Sequence, residues 1–153
     1  MKGRDSGFVI RDSQQRPHER LDVWRDAMEL VTEVYRYSAG FPDSERFGLV
    51  AQVRRAAVSV PSNIAEGAAR RSRPEYIRFL SIARGSLSEM DTQLEIAHRL
   101  GFAEREPGMA DLLDRTFARL NALIRSLDSS LHNVGETLAF YESPIPNPES
   151  HAR

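Results

Sequence analysis

The chain has 153 residues and a net charge of −1, with 41% hydrophobic and 28% charged residues, which is enough to build one domain around a single core. It contains no cysteine, so disulfides, thiol catalysis and cysteine zinc sites are excluded. No apolar run approaches the roughly 18 residues of a membrane span, and the N-terminus lacks the apolar core of a secretory signal, so we expect a cytoplasmic protein without membrane contact.

The two ends of the chain show no sustained periodicity. Residues 1–20 include Pro17 and two glycines, and the C-terminal eleven residues contain three prolines. Segments of this composition bury too little apolar surface to order themselves. We therefore predict a flexible N-terminal arm over 1–20, a folded domain over 21–132 and a tail over 133–153.

The first predicted helix covers about 22–39 and ends at Gly40. Its apolar residues recur at alternating steps of four and three, the spacing that lines one face of a helix. The stripe consists of Trp24, Met28, Val31, Tyr35 and Ser38. A second stripe runs beside it and consists of Ala27, Leu30, Val34 and Tyr37.

The second predicted helix covers about 45–68 and ends near Gly67. Its apolar stripe is formed by Leu49, Val53, Ala56, Val60 and Ile64. Pro61 lies inside this helix, which can accept an internal proline only by kinking or by losing a backbone hydrogen bond.

A polar series also runs along the second helix at steps of four and three, and we place it on the face opposite the apolar stripe. It consists of Arg55, Ser59, Asn63, Glu66 and Arg70. One interpretation is a solvated face. Another is a constrained kink, since Ser59 and Asn63 compete for backbone hydrogen bonds and could cap the carbonyls that Pro61 frees. The third is a binding site on this face, and of the last two we favour the kink.

Two further helices follow. Ser72-Arg73-Pro74-Glu75 is a capping box with proline in the first turn, so a third helix should run from there to Gly101. Its stripe consists of Tyr76, Leu80, Ala83, Leu87, Met90, Leu94 and Ala97. The fourth predicted helix covers about 107–132, with a stripe of Leu113, Phe117, Leu120, Ile124, Leu127 and Leu131.

Four amphipathic helices with short connections and no strand pattern predict an all-α fold, an antiparallel up-down-up-down four-helix bundle. The third helix carries extra apolar residues at Phe79, Ile82 and Ile96. Because a bundle helix needs only one buried stripe, the surplus on the first and third helices indicates wider burial or a subunit interface. Of these two, we favour self-association into a homo-oligomer.

The sequence offers no complete catalytic or metal-binding set. Glu95-Ile-Ala-His98 matches the Glu-x-x-His motif of di-iron bundles, but such a site needs two copies. The serines lack a neighbouring histidine and a Gly-x-Ser-x-Gly elbow, and no glycine-rich phosphate loop follows a strand. We therefore expect no enzymatic activity, no metal, no cofactor and no small-molecule substrate.

Positive charge is concentrated in the middle of the chain. Residues 46–84 hold eight arginines against two acids, while residues 85–153 hold six arginines against eleven acids. Several phosphate contacts together would give such a patch affinity for nucleic acid, although an ordinary ion-paired surface has the same composition. The candidate nucleic-acid-binding residues are Arg54, Arg55, Arg70, Arg71, Arg73, Arg78 and Arg84.

Two long motifs carry a family resemblance, RRAAVSVPSNIAEG at 54–67 and EYIRFLSIARGSLSEMDTQ at 75–93. Over about 21–131 the chain resembles the four-helix-bundle proteins encoded by intervening sequences of bacterial large-subunit ribosomal RNA genes. The resemblance implies a homopentamer and no catalytic residue. It also implies a relationship to the accessory protein of diversity-generating retroelements, which binds a reverse transcriptase and nucleic acid through a basic surface.

The resemblance marks a set of signature positions that we expect to be structural: Ser59, Pro61, Asn63, Glu66, Gly67, Glu89 and Gln93. Glu89 and Gln93 could pair with arginines of the second helix or face water. The resulting hypothesis is a non-enzymatic oligomer that binds RNA or a nucleoprotein through its arginines. The alternative is a protein-only scaffold or partner-binding module.

Overall fold

The structure, a computed structural model, describes residues 15–104 and 106–141, with side chains as far as residue 130. Over these ranges the chain forms four helices and no strand. The helices are α1 (Asp22–Ser38), α2 (Leu49–Ala68), α3 (Arg73–Arg99) and α4 (Pro107–Tyr141), and short 3-10 turns at Pro17–Arg20 and Asp43–Glu45 precede α1 and α2.

The helices pack in a ring, α1 on α2, α2 on α3, α3 on α4 and α4 on α1. Short connections between consecutive helices make these neighbours antiparallel. The predicted all-α four-helix bundle is therefore confirmed. None of the helices among the described residues contains an apolar stretch of the length that a membrane span requires.

The third helix follows its predicted pattern closely. Its four-three stripe from Leu80 to Ala97 is fully buried. The Ser72 hydroxyl accepts a hydrogen bond from the Glu75 backbone N–H at 3.4 Å and donates one to the Glu75 carboxylate. At the other end Gly101 adopts φ +72°, and Phe102 N–H bonds the Ala97 carbonyl at 3.0 Å, the pattern of a Schellman stop.

In α1 the stripe that faces the core is Ala27, Leu30 and Val34, each no more than 1% exposed. The stripe that starts at Trp24 is more exposed: Met28 and Tyr35 are 44% and 43% exposed, Trp24 and Val31 are half-buried at the edge of the core, and only Ser38 is buried. The two stripes have the same spacing, so periodicity could not rank them. Asp26 explains the rotation of α1, because this buried carboxylate accepts hydrogen bonds from two α4 arginines, Arg115 and Arg119.

Three predicted boundaries differ from the structure. α2 begins at Leu49 rather than near 45, because the Glu45 carboxylate accepts from the Leu49 N–H at 3.0 Å and caps the helix. The predicted arm already forms a 3-10 turn at Pro17–Arg20. α4 continues to Tyr141, nine residues beyond the predicted end, since the first proline after it is Pro144. Residues 1–14 and 142–153 lie outside the described residues.

The C-terminal part of α4 reaches past the start of α3. Arg84 of α3 contacts Asn121 of α4, and this sets the antiparallel register of the two helices. By that register the first residue of α3 is level with about residue 132 of α4. The last nine residues of α4 therefore extend roughly 13 Å further, at the end of the bundle that holds the α2–α3 turn.

Candidate nucleic-acid interface and apolar groove

Four of the seven candidate arginines lie together at one end of the bundle. Arg70 and Arg71 follow the end of α2, Arg73 opens α3, and Arg78 lies within its second turn. All four are exposed. We refer to these four residues as the arginine turn.

Within the arginine turn, Arg70 is already engaged. Its guanidinium pairs with the Glu66 carboxylate and lies 4.6 Å from the centre of the Phe79 ring. Arg78 lies over the same ring at 5.9 Å. Arg71 and Arg73 form no ion pair with any side chain that the structure describes.

The other three candidates lie elsewhere. Arg54 donates to the Ser38 hydroxyl at 2.8 Å and to the Tyr35 carbonyl at 3.3 Å, with its guanidinium 4.5 Å from the Tyr35 ring centre. It thus ties α2 to the C-terminal end of α1. Arg55 is exposed, but the rise of α2 places it roughly 22 Å from Arg70 along the helix axis.

Arg84 faces the fourth helix and donates to the Asn121 side chain at 3.4 Å. The seven arginines predicted from sequence therefore do not form one surface. Phe79, the ring between Arg70 and Arg78, was noted only as an extra apolar residue. Phe79 is one residue from Arg78 and nine from Arg70 in sequence. Neither separation is the spacing of three or four that places residues on one helix face, so the sequence could not predict that the three side chains meet.

Two polar signature residues, Ser59 and Asn63, belong to a hydrogen-bonded group that reaches from α2 to α3. The Ser59 and Ser86 hydroxyls are 2.8 Å apart, and the Asn63 amide donates to the Ser59 carbonyl at 2.8 Å. Ser59 and Asn63 are half-buried, so a solvated face is the wrong interpretation for both. The Ser59–Ser86 bond joins α2 to α3, and the Asn63 bond lies within α2.

We expected the Asn63 side chain to cap the carbonyl that Pro61 leaves without a partner, and the structure shows that it does not. In a regular helix Pro61 would leave the Ala57 carbonyl without its partner. Asn63 bonds Ser59, and the Ser62 hydroxyl donates to the Val58 carbonyl at 2.7 Å. α2 nevertheless continues through Pro61 to Ala68, with the proline ring buried against the rest of the bundle.

Glu89 and Gln93 pair with each other instead of with arginines of α2. The Gln93 amide nitrogen donates to the Glu89 carboxylate at 3.1 Å. Gln93 is only 6% exposed, and its Oε1 atom has no hydrogen-bond partner among the described residues. The pair therefore spans one turn of α3, with the Gln93 side chain buried and the Glu89 side chain exposed to water.

Gly67 allows α3 to approach α2 closely beside the arginine turn. A Cβ at this position would lie 2.9 Å from Cδ2 of Tyr76, 3.0 Å from Cβ of Phe79 and 3.2 Å from the Tyr76 carbonyl oxygen. Only glycine fits such a separation. Burial raises the pKa of the Tyr76 phenol above its usual value.

An apolar groove of about 400 Å³ runs between α1 and α2. Its α1 wall is the surface stripe of Trp24, Met28 and Val31, and its α2 wall includes Val58 and Pro61. Met28 and Val58 are 44% and 41% exposed, which is a large exposure for apolar side chains that lie side by side.

The Glu-x-x-His motif of α3 does not become a metal site within the described part of the chain. Glu95 pairs with Arg99 at 2.8 Å. No group of three or more histidine and acidic side chains with metal-binding geometry occurs among the described residues.

The molecule is thus a small helical bundle with a basic turn at one end and an apolar groove along one side. Its residues 19–129 match the model of the 23S rRNA-intervening sequence protein family. The match covers most of the chain, which therefore belongs to this family, and the resemblance seen in the sequence motifs is confirmed.

Among solved structures, the fold is similar to that of a protein of unknown function from the S23 ribosomal protein family of Bacteroides thetaiotaomicron. The two are 22% identical, with a TM-score of 0.62 over 67% of this chain and 95% of that one. At this identity the likeness concerns the fold alone. A search of curated proteins found no match.

Proposed function

We propose that this protein is a self-associating, non-enzymatic bundle that binds RNA through the arginine turn. The observation that carries the proposal is the local imbalance of charge. Only Glu66 and Glu75 are acidic between residues 46 and 84, and Glu66 already pairs with Arg70. Arg71 and Arg73 remain as cations that can release counterions from phosphates, the main source of affinity for nucleic acid.

The self-association part of the proposal rests on the apolar groove between α1 and α2. A second copy that covers Met28 and Val58 would remove both side chains from water. A homopentamer, as the family resemblance implies, would then carry five arginine turns, and we place it in the cytoplasm because of the composition of the chain. Several weak sites on one particle bind a long RNA much more tightly than one site does.

RNA binding is tested with two variants that remove the same charge. The test variant replaces Arg71, Arg73 and Arg78 by glutamine, and the control variant does the same at Arg25, Arg36 and Arg99, whose guanidiniums pair with acids of their own helices. Affinity for a labelled single-stranded RNA that is too short to reach a second arginine turn is measured across a series of salt concentrations.

The test variant should bind more weakly, with the slope of log affinity against log salt reduced by about two, since each lost phosphate contact accounts for roughly 0.7 with single strands. The control should keep the wild-type slope. Equal slopes in wild type and both variants would remove the RNA proposal.

The second candidate is a protein-only scaffold, and the exposed groove is the observation that favours it. Native mass measurement of Met28→Glu tests the groove, with Ala118→Glu as a control that adds the same charge to an exposed position of α4. A groove interface predicts loss of the oligomer in the first variant alone. An oligomer that depends on the groove and binds no RNA would favour the scaffold.

A further inference from the structure

Two guanidiniums share one aromatic ring in the arginine turn. Arg70 lies 4.6 Å and Arg78 lies 5.9 Å from the centre of the Phe79 ring, both within the roughly 6 Å reach of a cation–π contact. Phe79 is half-buried, and its Cβ packs at the Gly67 position, so the ring is fixed to the bundle. The result is a half-buried aromatic ring with two guanidiniums close to it, and we call this group of three side chains the Phe79 platform.

Glu66 gives Arg70 a role different from that of its neighbours. The ion pair with Glu66 compensates much of the charge that Arg70 would offer to a phosphate. The Arg70 side chain is still 37% exposed, so the guanidinium remains accessible. A guanidinium held in place in this way is suited to stack on a nucleobase, which needs a flat face more than a free charge.

We propose that the arginine turn is selective for unpaired RNA, with a base stacked on the Phe79 platform and the adjoining phosphates bound by Arg71 and Arg73. This inference rests on the RNA binding proposed above and names its ligand class. In an A-form duplex the faces of the bases are covered by their neighbours, so a stacking platform has nothing to contact. In a single strand or a loop the same faces are open.

The test compares three ligands of equal phosphate number in low salt, by fluorescence anisotropy. They are an unstructured RNA 12-mer, an abasic ribose-phosphate 12-mer, and a blunt-ended RNA duplex without a loop that carries the same number of phosphates. Stacking of one base contributes on the order of tenfold in affinity. Wild type should therefore bind the unstructured RNA about tenfold more tightly than either of the other two ligands.

Phe79→Leu keeps an apolar side chain in the α2–α3 contact but removes the platform, and it should abolish the preference. Phe102→Leu is the matched control, because Phe102 is a half-buried aromatic residue that follows the other end of α3. Arg70→Lys keeps the charge and loses the flat guanidinium. It tests the same stack even if Phe79→Leu fails to fold, and it should bring the affinity for unstructured RNA down to that for the abasic ligand.

The outcomes separate the two proposals. Equal wild-type affinity for all three ligands overturns the platform and leaves RNA binding in place. A preference for unstructured RNA that survives in both Phe79→Leu and Arg70→Lys also overturns the platform. Failure to bind any of the three ligands in low salt overturns RNA binding itself, and binding only to an acidic protein control would assign the arginine turn to protein recognition.

Discussion

Replacement of Gly67 by alanine should destabilise the protein, although alanine is the better helix former. Alanine is favoured over glycine by roughly 1 kcal/mol in a helix interior, and by somewhat less near a helix end. Against it, the new Cβ would lie 3.0 Å from the Phe79 Cβ and 3.2 Å from the Tyr76 carbonyl oxygen. Both atoms are anchored to the α3 backbone, so α3 itself must move. Overpacking of this kind costs about 1–3 kcal/mol, and we expect a net loss of about 1–2 kcal/mol.

Gly85 provides the matched control. It lies inside α3, and a Cβ there would meet nothing within 4 Å. Gly85→Ala should therefore stabilise the protein by about 0.5–1 kcal/mol. Urea unfolding followed by circular dichroism at a fixed protein concentration measures both variants. If Gly67→Ala were as stabilising as Gly85→Ala, α2 and α3 would not be in the close contact described above.

Three further predictions concern other contacts. Asp26→Asn should lower the free energy of unfolding by about 2 kcal/mol, because a buried carboxylate loses charge-assisted bonds from two half-exposed arginines; a change below about 0.5 kcal/mol in urea titration would contradict this. Arg54→Lys should lower the free energy of unfolding by about 1 kcal/mol, because it loses the Tyr35 stack and the bond to Ser38. Its RNA affinity should be unchanged. Weaker RNA binding at wild-type stability would instead place Arg54 in the interface. Tyr76→Phe should remove a loss of stability at alkaline pH. Burial raises the pKa of Tyr76 in the folded state. The contribution of Tyr76 to stability is therefore complete below the unfolded-state pKa near 10 and is lost as pH rises through the folded-state pKa. Between about pH 8 and 11, the free energy of unfolding should fall less with pH in the variant than in the wild type.

The periodicity of apolar residues predicted the four helices and most of the core, because burial of one stripe decides where a helix lies. Periodicity could not decide which of the two stripes of α1 faces the core, because both have the same spacing and differ only in the residues that they contact. That choice depends on Asp26, whose partners on α4 are about 90 residues away in sequence. The end of α4 was missed because the segment after 132 has a weaker apolar pattern, while the absence of proline before Pro144 allows the helix to continue.

The candidate site was predictable in composition but not in arrangement. Sequence could identify seven arginines in an acid-poor region, yet helical rise alone separates Arg55 from Arg70 by roughly 22 Å. The partners of Arg54 and Arg84 come from α1 and α4, and such pairings follow from packing that no local pattern encodes. The Phe79 platform likewise depends on the turn that brings the start of α3 back beside the end of α2.

The Asn-Ile-Ala-Glu-Gly segment affects both the packing of the helices and the basic surface. Gly67 lets α3 approach so closely that the Phe79 Cβ sits at the edge of α2, and Glu66, one residue earlier, holds Arg70 over the Phe79 ring. A wider separation of α2 and α3 would move the ring away from Arg70 and leave that guanidinium paired only with Glu66. The close helix contact at Gly67 is therefore the physical condition for the platform, and the segment that specifies the packing of the bundle also shapes its basic surface.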